Sequence, residues 1–146
     1  MEEGRIIGLD VGEVRTGVAL TDELQMIASP FDTIQVTSHE EDARAVQQIV
    51  EEQEAIRIVA GMPFGKDGEI GPQAEKVQAF LEVLKGIASV EVVTIDERFS
   101  TAAATRSLIQ ANVKRKGRKK VIDKVAAQQI LQLYLDRESA RRRREG

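Results

Sequence analysis

The stretch Arg5–Asp22, RIIGLDVGEVRTGVALTD, decides the fold. Ile6-Ile7-Gly8-Leu9 is continuously apolar and runs straight into Asp10. A run of this kind reads as a strand over 5–10 buried on both faces. Gly12 to Arg15 reads as a turn, and residues 16–21 as the hairpin partner. A carboxylate therefore ends what reads as the most buried strand of the chain.

Working outward, a third extended piece covers about 29–36, with Pro30 marking an edge or a strand start. Ser38, three residues before Glu41, is a capping-box signature. It opens a helix whose apolar stripe is Ala43, Val46, Ile49 and Val50. IRIVAG (56–61) follows that helix and so reads as a parallel strand. The glycine-rich GMPFGKDGEIGP leads to a helix over about 72–85, with Pro72 in its first turn and Gly86 at its end. VEVVTI (90–95) reads as another buried strand, running into Asp96-Glu97. Ser100 caps an alanine-rich helix over about 101–111. NVKRKGRKK is a basic loop, and a last helix runs from about 121 to 137 or beyond. Three strands followed by strand–helix alternation predict an α/β fold: a mixed sheet with helices on its faces. The 146 residues fit a single domain over 1–146, with a basic C-terminal tail from about 137 to 146.

The chain has no Cys, which excludes disulfides, thiolate nucleophiles and Cys-based zinc sites. Its only His, His39, falls in the first turn of a capped helix and reads as an exposed helix-start residue. Ser-His-Asp and Cys-His chemistry is therefore not available. No apolar stretch approaches membrane-spanning length, and MEEGRIIG lacks the layout of a signal peptide. The expectation is a soluble, cytoplasmic protein with no membrane partner. Charge is unevenly spread. Lys114 to Gly146 holds 12 Lys and Arg against 4 Asp and Glu, a net of +8; the other 113 residues hold 9 against 20, a net of −11. The C-terminal part is a candidate polyanion-binding surface on an acidic body.

GMPFGKD looks like a phosphate loop but fails on spacing. Three residues separate Gly61 from Gly65-Lys66 where a Walker A loop has four, and Asp67 stands where Ser or Thr would bind magnesium. The carboxylates are the better lead. Asp10 and Glu97 lie at the carboxyl ends of separate strands, where open sheets bind ligands. Asp123 shares i, i+4, i+7, i+11 spacing with Ala127, Ile130 and Tyr134, an otherwise apolar helix face. Singly, Asp10 also reads as a turn former, Glu97 as an exposed loop acid, and Asp123 as an acid suited to the first turn of a helix. Together, three converging acids repel and need a counter-charge, which Mg²⁺ or Mn²⁺ would supply through carboxylate oxygens. Two such ions clamp the attacking and leaving oxygens of a phosphodiester displacement without any His.

Six cations, Lys114, Arg115, Lys116, Arg118, Lys119 and Lys120, fall just before Asp123 and would neutralise phosphates. The same run also reads as a solvated loop. Arg98 is a further candidate for backbone phosphates, Thr16 for a polar contact near Asp10, and Phe64 and Phe99 for base stacking. With so few aromatics, recognition leans on backbone and shape.

The blocks GLDVGEVRTGVALTD, GMPFGKDGEIGP, DERFSTAAA and RKKVIDKVAAQQILQLYL resemble, in order and spacing, those of the YqgF/RuvX-type family. The resemblance covers about Arg5 to Leu135. Members are described as Holliday junction resolvases or pre-16S ribosomal RNA nucleases. It implies a ribonuclease-H-like fold: a five-stranded mixed sheet, first three strands antiparallel, helices on both faces. It implies Asp10, Glu97 and Asp123 as metal-binding catalytic acids, with Asp10 central and shared between two ions. It further implies a cytoplasmic nuclease acting on an rRNA precursor or on branched DNA. A two-fold-symmetric junction would favour a homodimer. Two other readings remain: a non-catalytic nucleic-acid or ribosome-binding factor, and one lobe of an actin- or hexokinase-type phosphotransferase, which would need a second lobe.

Overall fold

The computed structural model describes residues 3–100 and 116–145, with side chains in the last segment from Asp123 onward. Five strands form one sheet: β1 (Arg5–Asp10), β2 (Arg15–Thr21), β3 (Ala28–Gln35), β4 (Ala55–Met62) and β5 (Glu91–Asp96). Their order is β3-β2-β1-β4-β5. β1–β2 and β2–β3 pair antiparallel; β1–β4 and β4–β5 pair parallel. The apolar run of β1 is thus flanked on both sides and covered on both faces, as its composition requires.

The edge strands show why sequence and structure differ in detail. Pro30 lies on edge strand β3 beside a register shift, where Val18 pairs with Asp32 and Ala19 with Pro30. A residue without an N–H is tolerated there because no ladder bond is lost. β5, expected to be buried, is the opposite edge; of its six residues only Ile95 is fully buried. An apolar run alone does not distinguish an edge strand covered on one face from a central one.

Two helices cover one face: α1 (His39–Gln53) and α2 (Pro72–Ile87). The Ser38 side chain accepts a hydrogen bond from the Glu41 N–H at 3.1 Å, which satisfies one of the free amides of the first turn. Gly86 does not end α2: the helix continues to Ile87, and the Ala88 N–H bonds the Leu84 carbonyl at 2.7 Å. Ile7, Leu9, Val18 and Leu20 pack here against Val46, Val77, Phe80 and Leu84. Full burial of each such side chain contributes about 1.5–3 kcal/mol.

The other face carries α3 (Lys116–Glu145), which packs Ala126, Ala127, Ile130, Leu131 and Leu135 over Ile6, Ala19 and Val59. α3 begins five residues before the expected start, so residues 116–120 are helical rather than loop. Lys and Arg are good helix formers, and Gly117 costs only about 1 kcal/mol relative to Ala. The basic tail is helical as well, through Glu145. The expected helix over 101–111, together with Lys114 and Arg115, lies outside the described residues.

Candidate active site

Strand alternation sorts the residues around Asp10. Gly8 and Asp10 of β1, and Arg15 and Gly17 of β2, belong to the α3 face. Asp10 ends β1, is 4% exposed, and pairs across the ladder with Gly17. On its other side, Gly61 of β4 follows the Leu9–Ala60 rung. Both neighbours of Asp10 are therefore glycines. A Cβ on Gly17 would stand 1.9 Å from the Asp123 carbonyl oxygen. A Cβ on Gly61 would stand 2.7 Å from Ile130 Cδ1 and 3.0 Å from Glu97 Oε2. The missing side chains let the α3 backbone and the Glu97 carboxylate approach the sheet directly on either side of Asp10.

Glu97 opens a 3-10 turn, Glu97–Phe99, immediately after β5 and is 5% exposed. Asp96 caps the turn, its Oδ1 accepting from the Arg98 N–H at 3.0 Å. Ser100 closes it: its hydroxyl donates to the Glu97 carbonyl at 2.8 Å. Asp123 lies two turns inside α3 rather than in the first turn, so the helix dipole does not account for it. Its partner is Arg15, whose Nε donates to Asp123 Oδ2 at 3.1 Å. Arg15 was not singled out from the sequence. The signal was available in the alternation, which puts residues 15 and 17 on the side of Asp10.

The three predicted acids thus come to one corner of one sheet face. Asp10 and Glu97 are both buried there, while the Asp123 carboxylate is held by Arg15. Among the described residues, no three acidic or imidazole side chains form a group that could hold a metal ion as they stand. The donor chemistry nonetheless fits a hard divalent cation, since the buried carboxylates of Asp10 and Glu97 offer oxygen ligands at one corner of the sheet. Thr16 is elsewhere. It faces the α1–α2 side, away from Asp10, as its one-residue offset from Gly17 dictates.

Arg98 is spent on the protein. Its Nε donates to both Asp96 oxygens at 3.0 Å and its Nη2 to Asp96 Oδ2 at 2.6 Å. Its Nη1 donates to the carbonyls of Gly65 and Lys66 at 3.3 and 3.0 Å. Arg98 hydrogen bonding holds the Asp96 carboxyl below the ordinary carboxylate range. The pair fastens the glycine-rich loop to the end of β5. Inside that loop, Glu69 Oε2 accepts from the Asp67 N–H at 2.9 Å, and the Gly65 N–H bonds the Glu69 carbonyl at 3.0 Å. The loop wraps its own carboxylate, consistent with its failure as a Walker A sequence. Phe64 packs half-buried against the core. Phe99 is 63% exposed, with the guanidinium carbons of Arg98 and Arg137 5.5 and 5.2 Å from its ring centre. Lys116, Arg118, Lys119 and Lys120 fall on the opening turns of α3, the helix that carries Asp123.

With this geometry in place, comparison with known proteins is informative. The family model described as "RuvX: Holliday junction resolvase" matches residues 4–137. A protein of Clostridioides difficile is 45% identical over 136 residues, covering 93% of this chain and 96% of its own. One of Desulforamulus reducens is 48% identical over 132 residues, covering 90% and 96%. Both carry the description "Putative pre-16S rRNA nuclease". Among solved structures, Thermus thermophilus RuvC in complex with Holliday junction substrate aligns with a TM-score of 0.58 at 13% identity, over 93% of this chain and 96% of that one. Fowlpox virus resolvase in complex with substrate Holliday junction DNA gives 0.53 at 12%, over 90% and 97%. These two likenesses establish the ribonuclease-H-like fold expected from the sequence. The family match over nearly the whole length, with relatives approaching half identity, establishes more: the chain belongs to the RuvX family.

Proposed function

We propose that the chain is a divalent-metal-dependent nuclease that cuts structured nucleic acid, and that its substrate is the precursor of 16S rRNA in the cytoplasm. One observation carries the reading: Asp10, buried at the end of the central strand, sits between two glycines onto which the backbone of Asp123 and the carboxylate of Glu97 are pressed. The choice of substrate rests on the description shared by relatives at 45–48% identity. Junction DNA is the second reading, favoured by the family description.

Asp10, Glu97 and Asp123 would hold Mg²⁺ or Mn²⁺. The cation would supply Lewis-acid chemistry, lowering the pKa of a bound water and stabilising the departing oxygen. The chain's own residues supply position. Asp10 is fixed by ladder pairing on a rigid strand, which holds its oxygens in place. Gly17 and Gly61 let the start of α3 and the Glu97 carboxylate close in on either side of Asp10, which draws the three acids together. Arg15 balances the charge of the Asp123 carboxylate, which would be a ligand of the cation when it is bound. Lys116, Arg118, Lys119 and Lys120 would hold phosphates along the two turns before Asp123, about 4.5–10.5 Å from it along the helix axis. Arg98 shapes the loop beside Glu97, and exposed Phe99 offers a face for a base.

The test is a cleavage panel: rRNA precursor, four-way DNA junction and single strands, each with Mg²⁺, Mn²⁺ or chelator. Wild type should cut the precursor only with metal. Asp10→Asn should lose cleavage by at least about 100-fold, as expected for a group that organises the transition state, while retaining nucleic-acid binding. Equal cleavage by wild type and variant sinks the proposal. Binding with no cleavage under any metal points instead to a non-catalytic binding factor.

A further inference from the structure

On the face opposite Asp10, between the β1–β2 turn and the first turns of α1 and α2, lies a cavity of about 280 Å³. Its floor is apolar, formed by Val11, Val36, Val77 and Phe80, with the edge of His39 against Phe80 at 5.9 Å between ring centres. Thr16 lines it and is 3% exposed. Its hydroxyl opens onto the cavity, where it can donate to or accept from a ligand.

Three further features fix the ligand's chemistry. Asp42, also buried, accepts from the Thr37 N–H and hydroxyl at 3.1 and 3.0 Å, and its oxygens retain acceptor capacity toward the cavity. The α2 N-terminus opens beside Gln73 without a side-chain cap, since its cap position is Gly71. Lys76 stands at the rim, paired with Glu13 at 2.8 Å, both side chains more than half exposed. An exposed pair of this kind is worth little and opens readily. The site therefore combines an apolar interior, a hydroxyl and a carboxylate for the exocyclic amino group of a base, and a cationic rim beside free helix amides.

We infer that this cavity binds a nucleoside 5′-monophosphate: the base enters against Phe80 and His39, within reach of Thr16 and Asp42, and the phosphate stays at the rim with Lys76 and the α2 N-terminus. The volume is at the small end of ligand sites, which suits a base held inside and a phosphate left outside. Helix N-termini favour phosphate. Val11 and Gly12 line the cavity and directly follow Asp10, so occupancy is felt at the turn that ends β1. This inference does not depend on the proposed nuclease activity.

The test is calorimetric titration of the whole chain with 5′-AMP and 5′-CMP in chelator, where no metal-dependent cleavage can occur. Adenosine and inorganic phosphate are the comparison probes. A saturable one-to-one isotherm is expected, with both half-ligands binding at least tenfold more weakly. Thr16→Val, close in shape, and Lys76→Ala should each weaken AMP by about tenfold. Glu13→Gln, a rim change that leaves the core intact, should tighten it by freeing Lys76. No saturable binding by wild type overturns the inference. So does binding that survives Thr16→Val and ignores Glu13→Gln, or binding abolished by Asp10→Asn, which would put the nucleotide on the other face.

Discussion

The two faces of the sheet are packed by opposite means. Under α1 and α2, large side chains fill the interlayer space, and Val, Leu and Phe from both sides interdigitate. Under α3, the sheet offers Gly8, Gly17 and Gly61, and the helix comes down onto backbone. The first arrangement tolerates adjustment because side chains can repack, and it leaves a cavity. The second has little slack where atoms meet backbone. The acids sit on the face without slack, where the position of a carboxylate is set by main chain.

Gly17→Ala tests this contrast most severely. Its Cβ would meet the carbonyl group of Asp123, at 1.9 Å from the oxygen and 2.4 Å from the carbon, so the start of α3 must move. A loss of about 3 kcal/mol in unfolding free energy, read by denaturant titration, is expected, at the top of the range for overpacking, together with loss of cleavage. A loss under about 0.5 kcal/mol would show that the helix can shift freely. Gly61→Ala should be milder, about 1–2 kcal/mol, because its nearest atom is the flexible Cδ1 of Ile130. Ile130→Val should recover part of that loss in a double-mutant cycle; strict additivity would mean the clash lies elsewhere.

Arg15→Gln removes the partner of a half-buried carboxylate and should cost about 1–2 kcal/mol without metal. It should also enlarge the rise in melting temperature produced by Mg²⁺ or Mn²⁺, since Asp123 no longer has to exchange one cation for another. An unchanged metal response removes Arg15 from the site. The smallest effect concerns Asp96 and Arg98. The Asp96 carboxyl is depressed in the folded protein, so its contribution is fully present above the ordinary Asp range near 3.9 and is lost as pH falls through the lower folded value. Proteolysis within 63–71 should therefore stay slow at neutral pH and accelerate only below about pH 4. Asp96→Asn should accelerate it at every pH; equal cleavage of variant and wild type at neutral pH would show that the pair does not fasten the loop.

Much of this was legible in the sequence, for physical reasons. The continuous apolar runs of β1 and β4 point to central strands, and there the burial follows. The turn at Gly12 to Arg15 followed by a second apolar run made β2 readable as the hairpin partner, and the Ser38 cap fixed the start of α1. Properties carried by neighbours far along the chain were not legible. Residue 15 finds residue 123 only once the sheet and α3 are assembled. β5 looks central until its lack of an outer neighbour is known. The start of α3 was hidden because its cations serve equally as helix formers and as solvated loop. The placement of Asp10 and Glu97 at strand ends could be anticipated because a strand end is a local feature; the engagement of Asp123 and Arg98 with protein partners could not.

α3 is one uninterrupted rod of 30 residues. Its apolar seat on the sheet runs from Asp123 to Leu135, Arg137 reaches Phe99 beyond it, and four consecutive arginines, 141 to 144, close the rod. In mechanical terms it is a beam clamped over part of its span, with Arg141 standing about 27 Å of helix from Asp123. Arg141 is braced by Glu138 and Glu145 on successive turns. At the other end of the same rod Gly17 leaves no cushion between Asp123 and the strand that neighbours Asp10, so any tilt of the rod is felt at the acids.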